Sequence, residues 1–232
     1  MNFKDELIKL NMEPNDDQLN KFELYYNKLI EVNSYMNLTA IVERDEVYNK
    51  HFLDSLSIVK ALNLEEEFTL CDVGSGAGFP SVPLAIMCNN VKVTIIDALN
   101  KRINFLNDLA KHIALDNVCA YHKRAEEYAK EKREWFDVVT ARAVARLNVL
   151  AELCLPLVKL NGYFIAMKGT IAGEEINEAK KAISILGGKI VDRLSFDLPD
   201  GAGEREIIVI KKVQATPTKY PRVFAKIKER PL

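Results

Sequence analysis

Between residues 65 and 213 the chain alternates short β-branched, apolar runs with amphipathic stretches, and no other feature restricts its fold as strongly. The β-type runs fall at 68–73, 91–97, 117–122, 136–141 and 162–167. Helical stretches fall at 81–88, 101–115, 125–131, 147–157 and 172–186. Such alternation calls for right-handed βαβ crossovers and a parallel sheet covered on both faces. The end breaks the pattern. Two β-type runs, 189–198 and 204–212, are joined across Pro199-Asp200-Gly201 as a hairpin, so one late strand must run antiparallel. Upstream, Leu19, Phe22, Tyr26, Leu29 and Ile30 recur at helical spacing after the polar start Asn15-Asp16-Asp17, and residues 15–60 read as helical. The expected organisation is an N-terminal helical extension packed on the core (1–64), an α/β core (65–213) and a basic tail (214–232).

With 48% hydrophobic and 28% charged residues, the chain can bury an ordinary core. Cys71, Cys88, Cys119 and Cys154 are widely spaced without a C-x-x-C pair, so all four are expected to be small apolar residues in a reducing cytoplasm. His51, His112 and His122 are scattered, and no metal site is expected. Asp5, Glu6 and Lys9 interrupt the N-terminus, so no secretory signal is expected there. No apolar run approaches the ~20 residues that span a bilayer, and no membrane partner is expected. The net charge of −1 hides an asymmetry: residues 211–232 carry seven basic residues and one acid, leaving −7 on residues 1–210. A basic end on an acidic body suits a polyanion, although a merely solvated terminus has the same composition.

The most informative segment is Cys71-Asp72-Val73-Gly74-Ser75-Gly76-Ala77-Gly78-Phe79-Pro80, between an apolar strand and a helix. Glycines there let the backbone approach a ligand lying beyond the carboxyl ends of the strands, and Pro80 suits a first helical turn. The spacing is G-x-G-x-G rather than the dinucleotide G-x-G-x-x-G, and Asp72 precedes it. A carboxylate there would repel a pyrophosphate but suits a ligand carrying an ammonium and a sulfonium, namely S-adenosylmethionine (AdoMet). Asp97 ends the next strand, where a carboxylate can accept both hydroxyls of a ribose. After the third strand, Arg124-Ala125-Glu126-Glu127 is placed either to meet an adenine ring or simply to start a helix with charge favoured by the dipole. An NAD-dependent oxidoreductase shares the fold class, but Asp72 argues against it.

The chain resembles the GidB/RsmG family of bacterial 16S rRNA guanine-N7 methyltransferases over nearly its whole length. The motifs are Asn37-Leu38-Thr39-Ala40, His51-Phe52-Leu53-Asp54-Ser55, the Asp72–Pro80 loop, Lys101-Arg102 with Phe105-Leu106, Ala141-Arg142-Ala143, Lys168-Gly169 and Tyr220-Pro221-Arg222. The resemblance implies a class I, Rossmann-like methyltransferase whose mostly parallel sheet ends in an antiparallel hairpin. It implies AdoMet contacts at Gly74, Phe79, Ala125, Glu126 and Arg142, with Asp97 at the ribose. The implied substrate is guanine 527 in the 530 loop of 16S rRNA. The chain departs from the family at Val223-Phe224-Ala225, where small residues are expected.

The residues also restrict the chemistry. No Asn/Asp-Pro-Pro-aromatic loop for amino-group methylation follows the fourth strand. Cys154, the nearest candidate for a pyrimidine-attacking thiolate, lies in an apolar stretch. Guanine N7 has an in-plane lone pair and needs no general base, so positioning alone can drive in-line transfer. Arg142, at a strand's carboxyl end, is a candidate to hold the AdoMet carboxylate or to steer guanine O6. Lys168 is a candidate for the target base or a phosphate, and equally a surface lysine. His51 and Asp54, one turn apart, are expected to bond each other, and Asn37 and Thr39 to cap the following helix. Asp72, Gly76 and Gly78 complete the expected cofactor set. The expected RNA surface is Lys101, Arg102, Lys211, Lys212, Lys219, Arg222, Lys226, Lys228 and Arg230, giving salt-dependent affinity. A small-molecule methyltransferase and a ribosome-assembly factor that merely binds AdoMet remain the competing readings. Nothing in the sequence specifies a large obligate interface, so a monomer is expected.

Overall fold

A computed structural model describes residues 2–142, 145–170 and 173–232. The chain opens with α1 (Phe3–Lys9) and α2 (Asp16–Met36). From Arg44 it forms α3 (Arg44–Val47), a π-helical turn (Tyr48–Leu53), α4 (Asp54–Leu56) and a 3₁₀ turn (Ser57–Ala61). The alternating region then gives β1 (Phe68–Val73), α5 (Ser81–Met87), β2 (Val91–Asp97), α6 (Asn100–His112), β3 (Val118–His122), α7 (Ala125–Glu131), β4 (Phe136–Arg142), α8 (Leu147–Cys154) and β5 (Val158–Lys168). It closes with α9 (Gly173–Ile185), β6 (Gly188–Asp197), β7 (Glu204–Lys212) and α10 (Phe224–Glu229).

The strands form one sheet in the order β3-β2-β1-β4-β5-β7-β6. β1 to β5 pair in parallel, and β7 is antiparallel to both β5 and β6. The expected hairpin therefore inserts its second strand inside the sheet and leaves its first at the edge. β1 is flanked by β2 and β4, so the order reverses there and a crevice opens beyond their carboxyl ends. The interior strands are apolar enough to be covered on both faces. One core cluster joins Leu70, Val93 and Ile165 to Phe22, Leu29 and Phe52 of the N-terminal helices and to Leu84 and Leu106. The other joins Cys71, Val139 and Ile208 to Leu150, Ile183, Tyr220 and Ile227. The N-terminal helices thus share one core with the sheet, and the basic C-terminal segment is anchored under the opposite face by Tyr220 and Ile227.

Several expectations change. The helical stretch expected over 15–60 is interrupted at residues 37–43. A capping box between Asn15 and Gln18 starts α2, and Asn37 ends it in the left-handed conformation at φ 52°. Asn33 Oδ1 then accepts from the backbone N–H groups of Leu38 (2.6 Å) and Thr39 (2.8 Å). Asn37 and Thr39 therefore terminate and redirect the chain; the cap position of α3 is Glu43, which makes no side-chain capping bond. On α2 the buried stripe is Phe22, Tyr25, Leu29 and Val32, with Tyr25 inside in place of Tyr26. The expected helix over 147–157 ends at Cys154 and tightens into a 3₁₀ turn, Leu155–Leu157, around Pro156, which has no N–H to donate. Cys119 is exposed on β3, unlike the three buried cysteines. Residue 172, the expected start of α9, and Ala143 of the Ala141–Ala143 motif lie outside the described residues. Among the described residues no helix is long and apolar enough to cross a membrane.

Candidate functional site

The carboxyl ends of β1, β2, β3 and β4 meet the 38–51 segment, α8 and α10 around a cavity of about 560 Å³. That volume lies within the usual range for small-ligand sites. After β1 the backbone turns through Gly74 (φ 76°) and Gly76 (φ 63°), a left-handed region that a side chain at either position would resist. The Gly74 N–H donates to Ile96 O at 2.8 Å, locking the loop to β2. Asp97 ends β2 almost fully buried. Its carboxylate accepts from the Leu99 N–H at 2.8 Å, from the Arg102 guanidinium at 3.2 Å and weakly from the Gly76 N–H at 3.4 Å. Ser75 Oγ, also on the wall, is buried and has no partner among the described residues.

Of the expected cofactor residues, Gly74, Gly76, Phe79, Asp97, Ala125, Glu126 and Arg142 line this cavity; Asp72 and Gly78 do not. Asp72 is fully buried beneath the loop. One carboxylate oxygen accepts from Ser81 Oγ at 2.6 Å, and the other has no partner among the described residues. Burial pushes its pKa up to about 7. It can act on a bound cation through its field rather than by direct contact. Gly78 is a packing glycine: at φ 107°, an added Cβ would stand 2.7 Å from both Tyr25 Oη and Val82 Cγ2. Glu126, the second residue of α7, accepts from the Phe224 backbone N–H at 3.3 Å, which ties α10 to the rim.

Arg142 ends β4 with its guanidinium enclosed. It donates to Asp54 Oδ2 at 3.0 Å, lies 3.5 Å from His51 Nδ1 and sits 4.9 Å over the Phe79 ring. His51 and Asp54 do not bond each other; each meets the Arg142 guanidinium instead. The His51 ring stacks on Phe79 with centroids 4.5 Å apart and meets Thr39 Oγ1 at 2.8 Å through Nε2. Burial and the neighbouring Arg142 charge lower the His51 pKa to about 4, so the imidazole is neutral at physiological pH.

Lys168 lies away from the cavity wall: its ammonium donates to Glu175 at 2.5 Å and Ala145 O at 2.7 Å, joining β5 to α9. The expected basic surface also divides. Lys212 is fully buried and bonds Leu155 O (2.6 Å) and Thr216 Oγ1 (2.5 Å), with Glu134 at 3.2 Å. It cannot meet a phosphate. Arg222 makes a bidentate pair with the buried Glu152, at 2.8 and 2.6 Å, so it anchors the tail. Arg102 is held by Asp97 on the cavity wall, and Lys211 is half-buried. Lys101, Lys219, Lys226, Lys228 and Arg230 remain exposed.

Sequence reasoning did not place Leu38, Thr39, His51, Leu153 or Phe224 on the cavity wall. The signals were the unexplained Asn37–Ala40 and His51–Ser55 motifs and the departure at Phe224. Comparison with known proteins identifies the family. The family model GidB, described as rRNA small subunit methyltransferase G, matches residues 18–202. "Ribosomal RNA small subunit methyltransferase G" of Staphylococcus saprophyticus is 55% identical over 212 residues, covering 91% of this chain and 89% of that protein. The protein of the same name from Lactobacillus johnsonii is 48% identical, covering 99% and 98%. Among solved structures, TrmN from Thermus thermophilus superposes with a TM-score of 0.56 at 14% identity over 70% of this chain and 49% of its own, a likeness of fold. The chain belongs to the GidB family, rRNA small subunit methyltransferase G.

Proposed function

We propose that the protein transfers the methyl group of AdoMet to N7 of a guanine in the 530 loop of 16S rRNA. The observation that carries this reading is the single cavity in which the Gly74–Gly76 turn, Asp97, Ala125 and Glu126 face Arg142 and Phe79 in a member of this methyltransferase family. The chain's residues fit the cofactor. Asp97 offers a carboxylate for ribose hydroxyls, the unpartnered Ser75 hydroxyl lies on the same wall, and the field of Asp72 favours a cationic amino acid. When bound, AdoMet supplies an electrophilic methyl on sulfonium.

The protein's own contribution is binding and alignment. The β1–β3 loop ends hold the nucleoside side, and the β4 end with the 38–51 segment offers the remaining wall to the acceptor. Cys154 is not a nucleophile here: it is fully buried, and burial and the Asp72 charge push its thiol well above the ordinary range. N7 attack needs no proton removed, so orienting the base and excluding water account for the required work. Exposed Lys219, Lys226, Lys228 and Arg230 supply phosphate contacts on the small ribosomal subunit.

The test is transfer of labelled methyl from AdoMet to unmethylated small subunits, followed by nucleoside analysis. Labelled 7-methylguanosine is expected. Another labelled nucleoside would keep the transfer and discard the target, and no transfer despite AdoMet binding would discard the reaction.

A further inference from the structure

The Asn37–Ala40 and His51–Ser55 motifs meet on the cavity wall opposite the cofactor half, and their hydrogen bonds can be assigned by donor counting. Arg142 can only donate, so the His51 Nδ1 facing it at 3.5 Å is an unprotonated acceptor. A neutral imidazole then carries its proton on Nε2, which donates to Thr39 Oγ1 at 2.8 Å. Thr39 Oγ1 also accepts from the Ile41 backbone N–H at 3.0 Å. Both lone pairs of that hydroxyl are therefore taken, and its own hydrogen has no acceptor among the described residues. Thr39 lines the cavity, so this hydrogen is offered to whatever enters.

The arrangement is braced. A chain of contacts runs from Asp54 through Arg142 and His51 to Thr39, with Phe79 stacked beneath His51. His51 projects from the π-helical turn Tyr48–Leu53, a geometry frequent at functional sites. The strand order adds a second constraint. Gly74, Asp97 and Ala125 sit at the β1, β2 and β3 ends, whereas Thr39 and His51 cluster with Arg142 at the β4 end.

We propose that Thr39 is a specificity-determining residue whose hydroxyl donates a hydrogen bond to O6 of the acceptor guanine, with His51 and Arg142 holding it in that orientation. This rests on the reading of the protein as a guanine-N7 methyltransferase. On the edge that carries N7, guanine presents O6 as an acceptor, whereas adenine presents an amino donor. A fixed hydroxyl donor beside N7 therefore accepts guanine, and an adenine amino group would meet no acceptor there, both lone pairs being occupied.

The test is a cycle of protein and substrate changes, read as kcat/KM with full-length protein, AdoMet and small subunits reconstituted with either guanine or 2-aminopurine, which lacks O6, at the target. Nucleoside analysis of the guanine product comes first. If it is not 7-methylguanosine, the functional reading fails and this proposal with it. Given 7-methylguanosine, Thr39→Val is expected to lower kcat/KM on guanine about 10- to 100-fold, the usual range for leaving a buried polar partner unpaired. AdoMet affinity should stay within about twofold, and Thr39→Ser should recover most of the rate. Wild type should lose a similar factor on 2-aminopurine, and Thr39→Val should lose little more. Equal losses on 2-aminopurine for wild type and Thr39→Val would overturn the contact while leaving the methyltransferase reading intact. Thr39→Ala serves in the same cycle should the valine variant not fold by circular dichroism.

Discussion

The carboxylate of Asp54 is shared: Oδ2 accepts from Arg142 at 3.0 Å, and Oδ1 lies 3.2 Å from Nε of Arg205 on β7. Asp54 and Arg142 are both nearly sequestered from water. Removing the carboxylate takes the paired counter-charge from the enclosed Arg142 guanidinium and from the half-buried Arg205. Asp54→Ala is expected to destabilise the fold by about 3–5 kcal/mol, the usual cost of orphaning a buried ion-pair partner. Urea denaturation checks this, and a loss under about 1 kcal/mol would show that water replaces the carboxylate freely.

The loop glycines separate folding from binding. Gly78→Ala places a Cβ 2.7 Å from Tyr25 Oη and Val82 Cγ2 at φ 107°, so a loss of about 2–4 kcal/mol is expected. At Gly76 nothing lies within 4 Å of an added Cβ, and only the left-handed backbone penalty of about 1–2 kcal/mol remains. Gly76→Ala should therefore stay folded while weakening AdoMet binding by calorimetry. Equal melting shifts for the two variants would contradict this division.

His51 gives a signed pH effect. Burial, followed by the Arg142 charge, depresses its folded pKa to about 4, below the ordinary histidine value. The stability linked to this neutral ring is present above about pH 6.5 and is lost as pH falls towards 4. The loss should be about 3 kcal/mol at most. His51→Gln should flatten stability between those limits, as followed by urea titrations at several pH values. An NMR titration placing His51 near its ordinary value would refute the buried, neutral assignment.

Asp72 works in the opposite sense. Burial raises its folded pKa to about 7, so its contribution is present below the unfolded carboxylate value and lost as pH rises through 7. Asp72→Asn keeps an acceptor for Ser81 and should raise stability at pH 8 by about 2–3 kcal/mol relative to pH 5. The same change should weaken AdoMet binding, because a neutral amide provides no field for a cation. Unaltered affinity by calorimetry would remove Asp72 from the cofactor site.

The basic residues of the C-terminal region should respond in two ways. Changing exposed Lys226, Lys228 and Arg230 to Gln should weaken small-subunit binding and reduce its salt slope, with folding and AdoMet affinity intact. Lys212→Met instead removes a fully buried ammonium from Leu155 O, Thr216 and Glu134. It should change the melting temperature and leave the salt slope alone. An unchanged slope in the triple variant would exclude this face from RNA contact.

The strands and the glycine loop were legible because period-two apolar runs and the Asp72–Pro80 spacing are local signals; β1, β2 and α7 have the expected bounds. The same local logic put Asp97, Ala125 and Arg142 at strand ends, where topology alone brings them to one crevice. It failed where the deciding partner is distant in the chain. Lys212 and Arg222 carry the same charge as Lys226, but Leu155, Thr216 and Glu152 enclose them. His51 and Asp54 have the spacing of a mutual pair, but Arg142, about ninety positions away, takes both.

The sequence by itself therefore determined the α/β alternation, the terminal hairpin and the strand-end positions of the loop residues, since these follow from side-chain periodicity and backbone preference within a few residues. Only the tertiary structure decided which charges are buried, which donors are already spent and that the 38–51 segment completes the cavity. Burial and hydrogen-bond saturation depend on side chains that the sheet brings together from opposite ends of the chain, and no local pattern records them.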